Sequence, residues 1–387
     1  MNKKLKFKSS EVQGSKVQGI IVQKFKSSKV QRVHIPLLVA RSIFCQTPIV
    51  RFIIPLLVAR SIFCQTPIVR FTNQPKLNIT INTIYDDNIF QYSDEYLYDF
   101  QHQIRSYRFP FRSADDFIIL LNPTLQIPLR KLNASLSASH LRLNYKQYHY
   151  TTNTEKSYQI FSLGINKALA KNISIENEYL YLPRYLIRYY QDPLSYQTKY
   201  IPCLFSEHLF SVEMVYKLSN IRLKPFIRYE VDNYERNFDF YDSKAIRYGM
   251  NVIPTIRKLS LEFSFEQKHN WAKGPVPDIS YTESNISIGF NRKIPKFSQV
   301  KIGIDVDWSK RTYTTKNSYI QDPFHRNRTD TKYGWAVNLG YQITKKIQMM
   351  GKYENETRDV NSIYRIDIDD IKNYKNNRWS VGVKLMS

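Results

Sequence analysis

The sequence predicts an all-β chain: a single closed antiparallel transmembrane β-barrel of about 14 strands, with short periplasmic turns and long extracellular loops. Three observations carry this expectation. From residue 75 onward, apolar and polar residues alternate in segment after segment, which is the period of a strand. The connections between those segments alternate between short and long. Aromatic residues gather towards the long-loop ends of the segments, where an interfacial girdle belongs.

The first segment, near 76–90, sets Leu77, Ile79, Ile81 and Tyr85 against Asn78, Thr80, Asn82 and Asp86. Segments near 116–129, 134–150, 158–168, 172–189 and 207–217 follow. The third changes phase around Ser139–His140, as a β-bulge would make it do. The seventh, near 221–234, alternates Ile221, Leu223, Ile227, Tyr229 and Val231 with Arg222, Lys224, Arg228, Glu230 and Asp232. It also carries Pro225, which cannot donate to a ladder and argues against a closed sheet. The eighth lies near 244–255. The ninth, near 259–271, alternates Leu259, Leu261, Phe263 and Phe265 with Ser260, Glu262, Ser264 and Glu266. The last five lie near 283–293, 300–313, 331–343, 347–358 and 377–387. Their apolar phases include Ile304, Val306, Trp308, Trp335, Val337, Trp379 and Val381. Most segments exceed the roughly nine to eleven residues a tilted strand needs to cross a bilayer.

Short connections are expected at Arg130–Asn133, Leu169–Lys171, Leu218–Asn220, Ile256–Lys258, Ile294–Gln299 and Thr344–Lys346. Longer ones are expected at Gln91–Asp115, Thr151–Ser157, Tyr190–Ser206, Glu235–Ser243, Ala272–Thr282, Thr314–Asp330 and Asp359–Asn376. A soluble sandwich has no reason to alternate its loops in this way, whereas an outer-membrane barrel does. Period two alone does not separate the two, because a membrane barrel only inverts the alternation, turning its apolar face to lipid and its charged face to a wet lumen. The expected girdle comprises Tyr85, Tyr145, Tyr181, Tyr229, Trp271, Trp308, Tyr313 and Trp335.

Composition removes other classes. The chain of 387 residues contains 29 Tyr, 22 Phe and 4 Trp, too many aromatics for a disordered protein. It has no apolar run of about 18 residues for a membrane helix. Cys45, Cys64 and Cys203 form neither a disulfide framework nor a zinc spacing. Net charge is +24, and residues 1–71 hold 13 Lys/Arg against the single acid Glu11. That segment is repetitive: Ile35–Phe52 recurs letter for letter as Ile54–Phe71, at a period of 19. A solenoid keeps its core and varies its surface, so an identical copy points to a duplicated, disordered leader or a degenerate signal region. Residues 72–387 are expected to form the barrel. No nucleic-acid partner is expected; the partners expected are outer-membrane lipid, lipopolysaccharide and small solutes.

The run Thr83-Ile84-Tyr85-Asp86-Asp87-Asn88-Ile89-Phe90, followed by Asp115-Asp116-Phe117-Ile118 and Asn122-Pro123-Thr124-Leu125, resembles the opening of a family of outer-membrane β-barrel porins. The resemblance covers about fifty residues. It implies a bacterial outer-membrane location and a pore or transport role, with no catalytic residues or cofactor.

Candidate site residues lie on the polar phase. Arg222, Lys224 and Arg228, with Arg247 on the next strand, predict a basic strip lining the pore, and Glu262 and Glu266 an acidic one beside it. Such walls either set up a transverse field across an open pore or tie together a salt-bridged lumen. Asp86, Asp87 and Asn88, with Asp94 and Glu95 close behind, offer hard oxygens to Ca²⁺. They equally fit an acidic, solvated strand end where Asn88 starts a turn. His149 and His269 near outer strand ends would suit a barrel protease or lipase, yet no G-x-S-x-G motif accompanies them. The expectation is a non-enzymatic channel, with no metal or catalytic site. The alternatives are an adhesive or structural barrel using Tyr- and Asn-rich loops such as Tyr190–Tyr200, or a barrel enzyme.

Overall fold

The computed structural model describes residues 75–387, apart from 130–138, 195–198, 257–258, 275, 296, 298, 363–367 and 369–371. The proposed leader, residues 1–71, lies outside the described residues, as do the turns expected at Arg130–Asn133 and within Ile256–Lys258. Residues 134–138 of the expected third strand, where its phase change begins, also lie outside them.

Fourteen strands form one closed antiparallel barrel, each paired with its sequence neighbours and β1 paired with β14. They are β1 (Lys76–Asp86), β2 (Asp116–Leu129), β3 (Ser139–Tyr150), β4 (Tyr158–Ala170), β5 (Ile173–Gln191), β6 (Tyr200–Leu218) and β7 (Ile221–Tyr234), then β8 (Ser243–Ile256), β9 (Leu259–Ala272), β10 (Tyr281–Lys293), β11 (Val300–Tyr313), β12 (Thr329–Thr344), β13 (Ile347–Asn361) and β14 (Tyr374–Met386). The closing seam runs from Asn78 opposite Met386 to Asp86 opposite Arg378. Tight turns such as Ser219–Asn220 and Lys345–Lys346 occupy one rim and the long connections the other. A closed, even-stranded barrel with this asymmetry is the architecture of bacterial outer membranes.

The alternation resolves into two faces. Phe263, Ile288, Ile304, Val337 and Val381 are exposed on the outer surface, while the residues between them turn inward. A band of rings crosses the closing seam on the outside. Phe117, Tyr85, Trp379, Tyr353 and Trp335 lie on five adjacent strands, with successive centroids 5.0, 5.7, 5.2 and 5.1 Å apart. Seven of the eight expected girdle residues fall in the outward phase, Tyr145 among them although Phe161 packs against it at 5.2 Å. Tyr313 does not: outward residues on β11 are Ile304, Val306 and Trp308, so Tyr313 faces inward and lines the outer mouth. Arg introduced at Leu261, Val337 or Val381 is therefore expected to cost about 2–4 kcal/mol, and much less at Ser260, Asn338 or Ser380. Denaturant midpoints of refolded variants check this, and equal sensitivity of the two sets would reverse the assignment.

Two other departures from the sequence reading have local causes. The connection expected at Tyr190–Ser206 shrinks to 192–199, because β6 starts at Tyr200 and β5 runs to Gln191. Pairing there continues through register shifts at Leu182/Tyr185 and Leu186/Tyr189, which erase the period-two signal without ending the ladder. Pro225 keeps its partner Met250 on β8 but falls in a gap of the β6–β7 ladder. Pro123 and Pro254 sit in similar gaps, on the β3 and β9 sides of their strands. A closed sheet thus accommodates proline where one ladder has already lapsed.

Candidate functional site

The inner wall carries a charge network on β7 to β9, with a separate ion pair beside it on β6 and β7. Lys224 Nζ donates to Glu213 at 2.6 Å. Arg228 and Arg247 are directly opposite one another on β7 and β8, an arrangement that is destabilising for like charges. Glu266 on β9 bridges them, 2.8 Å from Arg228 and 3.7 Å from Arg247. Arg247 also pairs with Glu230, whose other oxygen accepts from Lys268 Nζ at 2.8 Å. Gly249, opposite Phe226, leaves room for that ring to lie along the wall beneath the Arg228 guanidinium, 4.1 Å from its centroid. Beside this network is a cavity of about 210 Å³ whose wall includes Arg142, Glu178, Glu213 and Arg228.

The structure therefore brings Arg228, Arg247 and Glu266 together as one ion-paired unit. Lys224 belongs to a neighbouring pair. Glu262 stands further along β9, beside Gly289 and Asp305, and Arg222 lies near the short-turn rim with much of its surface open. In this unit the basic and acidic residues are neighbours on adjacent strands, so their fields largely cancel locally.

The first long connection, residues 87–115, folds inward. It carries helix α1 (Asp94–Gln101), whose N-cap Ser93 accepts from the Tyr96 N–H at 3.3 Å. Ile89, Phe90, Phe109 and Phe111 pack with Ile118, Tyr150, Leu186 and Leu204 in one buried cluster. Ile118 belongs to the inward phase of β2, because Phe117 and Ile119 are exposed outside. The loop thus covers the inner wall of β2 to β6 near the outer rim. Its base is the Asp86-Asp87-Asn88 run. Asn88 donates to the carbonyls of Tyr92 and Lys375 at 2.7 and 2.9 Å and accepts from the Tyr92 N–H. Asp87 accepts from the backbone and side chain of Asn377 on β14. These oxygens are engaged in a turn that ties β1 to β14. Asp86 and Asn88 are buried, not solvated as the sequence suggested. Among the described residues, no group of His, Cys, Asp and Glu is placed to hold a metal ion.

Under Phe90 lies Lys156, fully buried in the β3–β4 connection. Its ammonium donates to the carbonyls of Leu186 and Ile187 at 2.8 and 3.3 Å and lies 4.9 Å from the Phe90 centroid. Burial pushes its pKa down from 10.5 to about 7. Lys156 exposed by loop release holds its proton up to about 10.5, and docked it gives the proton up near 7. Docking is therefore expected to strengthen as pH rises across that window and to be flat below it. Amide-exchange protection of residues 87–115 measures this, and a slope that survives Lys156→Met would sink the assignment.

His149 and His269 fall in the outward phase. His269 stacks between Tyr248 and Trp271 at 6.0 and 6.3 Å, as a ring within the aromatic band.

Above the charge network opens a vestibule of about 820 Å³. Its walls are rich in tyrosine and arginine, and the alternation pattern did not point to it, because it is built from connections and strand ends.

No family model matches the chain, and no curated protein matches it either. Solved structures resemble it in fold. OmpT, an outer membrane protein of Vibrio cholerae, is 8% identical with a TM-score of 0.44, over 83% of this chain and 100% of that one. An anion-selective porin from Comamonas acidovorans is 5% identical with a TM-score of 0.43, over 81% and 99%. The outer membrane protein opdK from Pseudomonas aeruginosa is 7% identical with a TM-score of 0.38, over 81% and 99%.

Proposed function

We propose that the chain is a passive channel for small hydrophilic solutes in the bacterial outer membrane, with lipid and lipopolysaccharide as its outer contacts and no catalytic role. The observation that carries this reading is the inner wall. It is charged, ion-paired and next to free volume, as in the 210 Å³ cavity bordered by Arg142, Glu178, Glu213 and Arg228, while the apolar phase is spent on the outside. A wet lumen is what such a wall is suited to. The inward-folded first loop narrows the β2–β6 side and leaves the vestibule as the approach.

The full chain refolded in detergent should show heat-modifiable gel mobility and discrete conductance in planar bilayers. A folded barrel that stays electrically silent would overturn the channel reading. Neutralising Arg228 and Arg247 together as Gln removes both ion-pair partners of Glu266 found among the described residues, leaving it the Asn285 amide, and one ion-pair partner of Glu230. Reversal potentials under a salt gradient should then shift towards cation preference, because the surviving carboxylates dominate the local potential. The shift should shrink with rising salt, since about 0.1 M salt screens beyond roughly 10 Å. An unchanged potential in a conducting double variant would remove these residues from the pore.

A further inference from the structure

We propose that the outer vestibule is a binding site for an anionic, ring-bearing solute: a carboxylate carried on a ring with a flat apolar face. This deepens the channel reading and rests on it for the direction of traffic, but not for the binding itself.

Five arginines and one lysine line the cavity wall, and four of these side chains converge from separate elements. Arg188 comes from β5, Arg328 from the β11–β12 connection, Arg358 from β13, and Lys372 from just before β14. Among the described residues, one carboxylate, Asp330, is shared by Arg328 and Arg358. It accepts from Arg328 at 2.7 and 2.8 Å and also pairs with Arg358. Among the described residues, neither Arg188 nor Lys372 has a carboxylate at ion-pair distance. Arg188 donates instead to the Gln91 carbonyl of the inward loop. Burial and the guanidiniums of Arg188, Arg328 and Arg358 hold the Lys372 ammonium well below its ordinary range. Of the described carboxylates on the cavity wall itself, Asp322 pairs with His325 at 2.7 Å and accepts the Asp278 N–H. Asp232 forms no ion pair among the described residues; one of its oxygens accepts from Ser243 at 3.4 Å and the other is buried without a hydrogen-bond partner.

Tyrosine faces position these cations. Arg188 lies 5.1 Å from the Tyr92 centroid, Arg328 4.8 Å from Tyr313, and Lys372 5.3 Å from Tyr190. A ring face orients a cation without cancelling its charge, so the positive potential stays available to a ligand. The same rings give an apolar platform. The volume lies in the range of sites that enclose small organic ligands. Charge-assisted hydrogen bonds to a carboxylate are the strong ones, and the planar guanidinium forks suit that geometry. An anion without a ring would use half of the site, and a ring without charge the other half.

The test is calorimetric titration of the refolded full chain with four probes: benzoate, glucuronate, glucose and acetate. Benzoate and glucuronate separate an aromatic from a saccharide ring, and binding of either supports the site. Each binding ring acid is expected to be roughly tenfold or more tighter than acetate and glucose. Arg188→Gln with Lys372→Gln should weaken it by roughly tenfold or more, with heat-modifiable mobility retained. Arg188→Lys should recover part of the loss, which a merely structural role would not predict. Equal affinity for glucose, or ring acids binding no better than acetate, would overturn the proposal, as would an unaffected double variant. A silent barrel that binds ring acids refutes the channel alone. A conducting barrel that ignores them refutes this inference alone.

Discussion

Replacing Glu230 with Gln is expected to destabilise the barrel by about 3–5 kcal/mol, the range for breaking a buried ion pair from one side. Glu230 is 3% exposed and takes both Arg247 and Lys268, and Lys268 is itself only 6% exposed. Without the carboxylate, Arg247 retains Glu266 at 3.7 Å, whereas Lys268 loses its only ion-pair partner among the described residues. The cost comes from that stranded ammonium more than from the lost attraction. Adding Lys268→Met to Glu230→Gln should therefore recover much of the loss. Denaturant unfolding of vesicle-inserted protein measures both. A loss below about 1 kcal/mol would mean that the lumen is wet enough to screen the pair like a surface salt bridge.

Phe90→Ala is expected to cost about 3–5 kcal/mol in docking of the first loop, as for large aromatic truncations. The ring is 1% exposed, lies tilted against Phe111 with centroids 4.4 Å apart, and covers the Lys156 ammonium. Its removal uncovers a cation that the pocket has desolvated. Because the loop lies inside the mouth and forms no part of the barrel wall, the loss should appear as loop release before barrel unfolding. Single-channel recording should show larger or noisier conductance, and protease should cut within 87–115 while heat-modifiable mobility persists. A variant that keeps the wild-type conductance and resists cleavage would show that the loop is held by its Asn88 base alone.

The strands were legible because period two and the loop rhythm are both one-dimensional signals. Leu261, Val337 and Val381 declared their face through their neighbours two residues away. The charge unit was half legible: parity put Arg228, Arg247, Glu262 and Glu266 on one wall, but which of them touch depends on cross-strand register. In the sequence Glu230 is simply one residue of the polar phase of its segment, although its two ion-pair partners make it the centre of the network. The vestibule left no signal, since Arg188, Arg328, Arg358 and Lys372 are distributed over 185 positions of sequence and meet only when the barrel closes. Tyr313 was placed in the girdle by its position along the strand. Parity against Trp308 would have corrected it.

The seam between β1 and β14 also bears on how the barrel comes into being. The Leu77 N–H donates to Ser387 Oγ at 2.8 Å across a sequence separation of 310. Among the described strand pairs, bringing these distant segments together carries the largest loop-closure entropy, and no contact of that seam repays it until both edges meet. Before then β1 and β14 are unpaired edges with apolar outer faces, open to the wrong partner. Assembly should therefore be limited by this last pairing. Slow, concentration-dependent side products should have β1 of one molecule paired with β14 of another, and the Asp87–Asn377 clasp would act as the latch that makes the correct closure last.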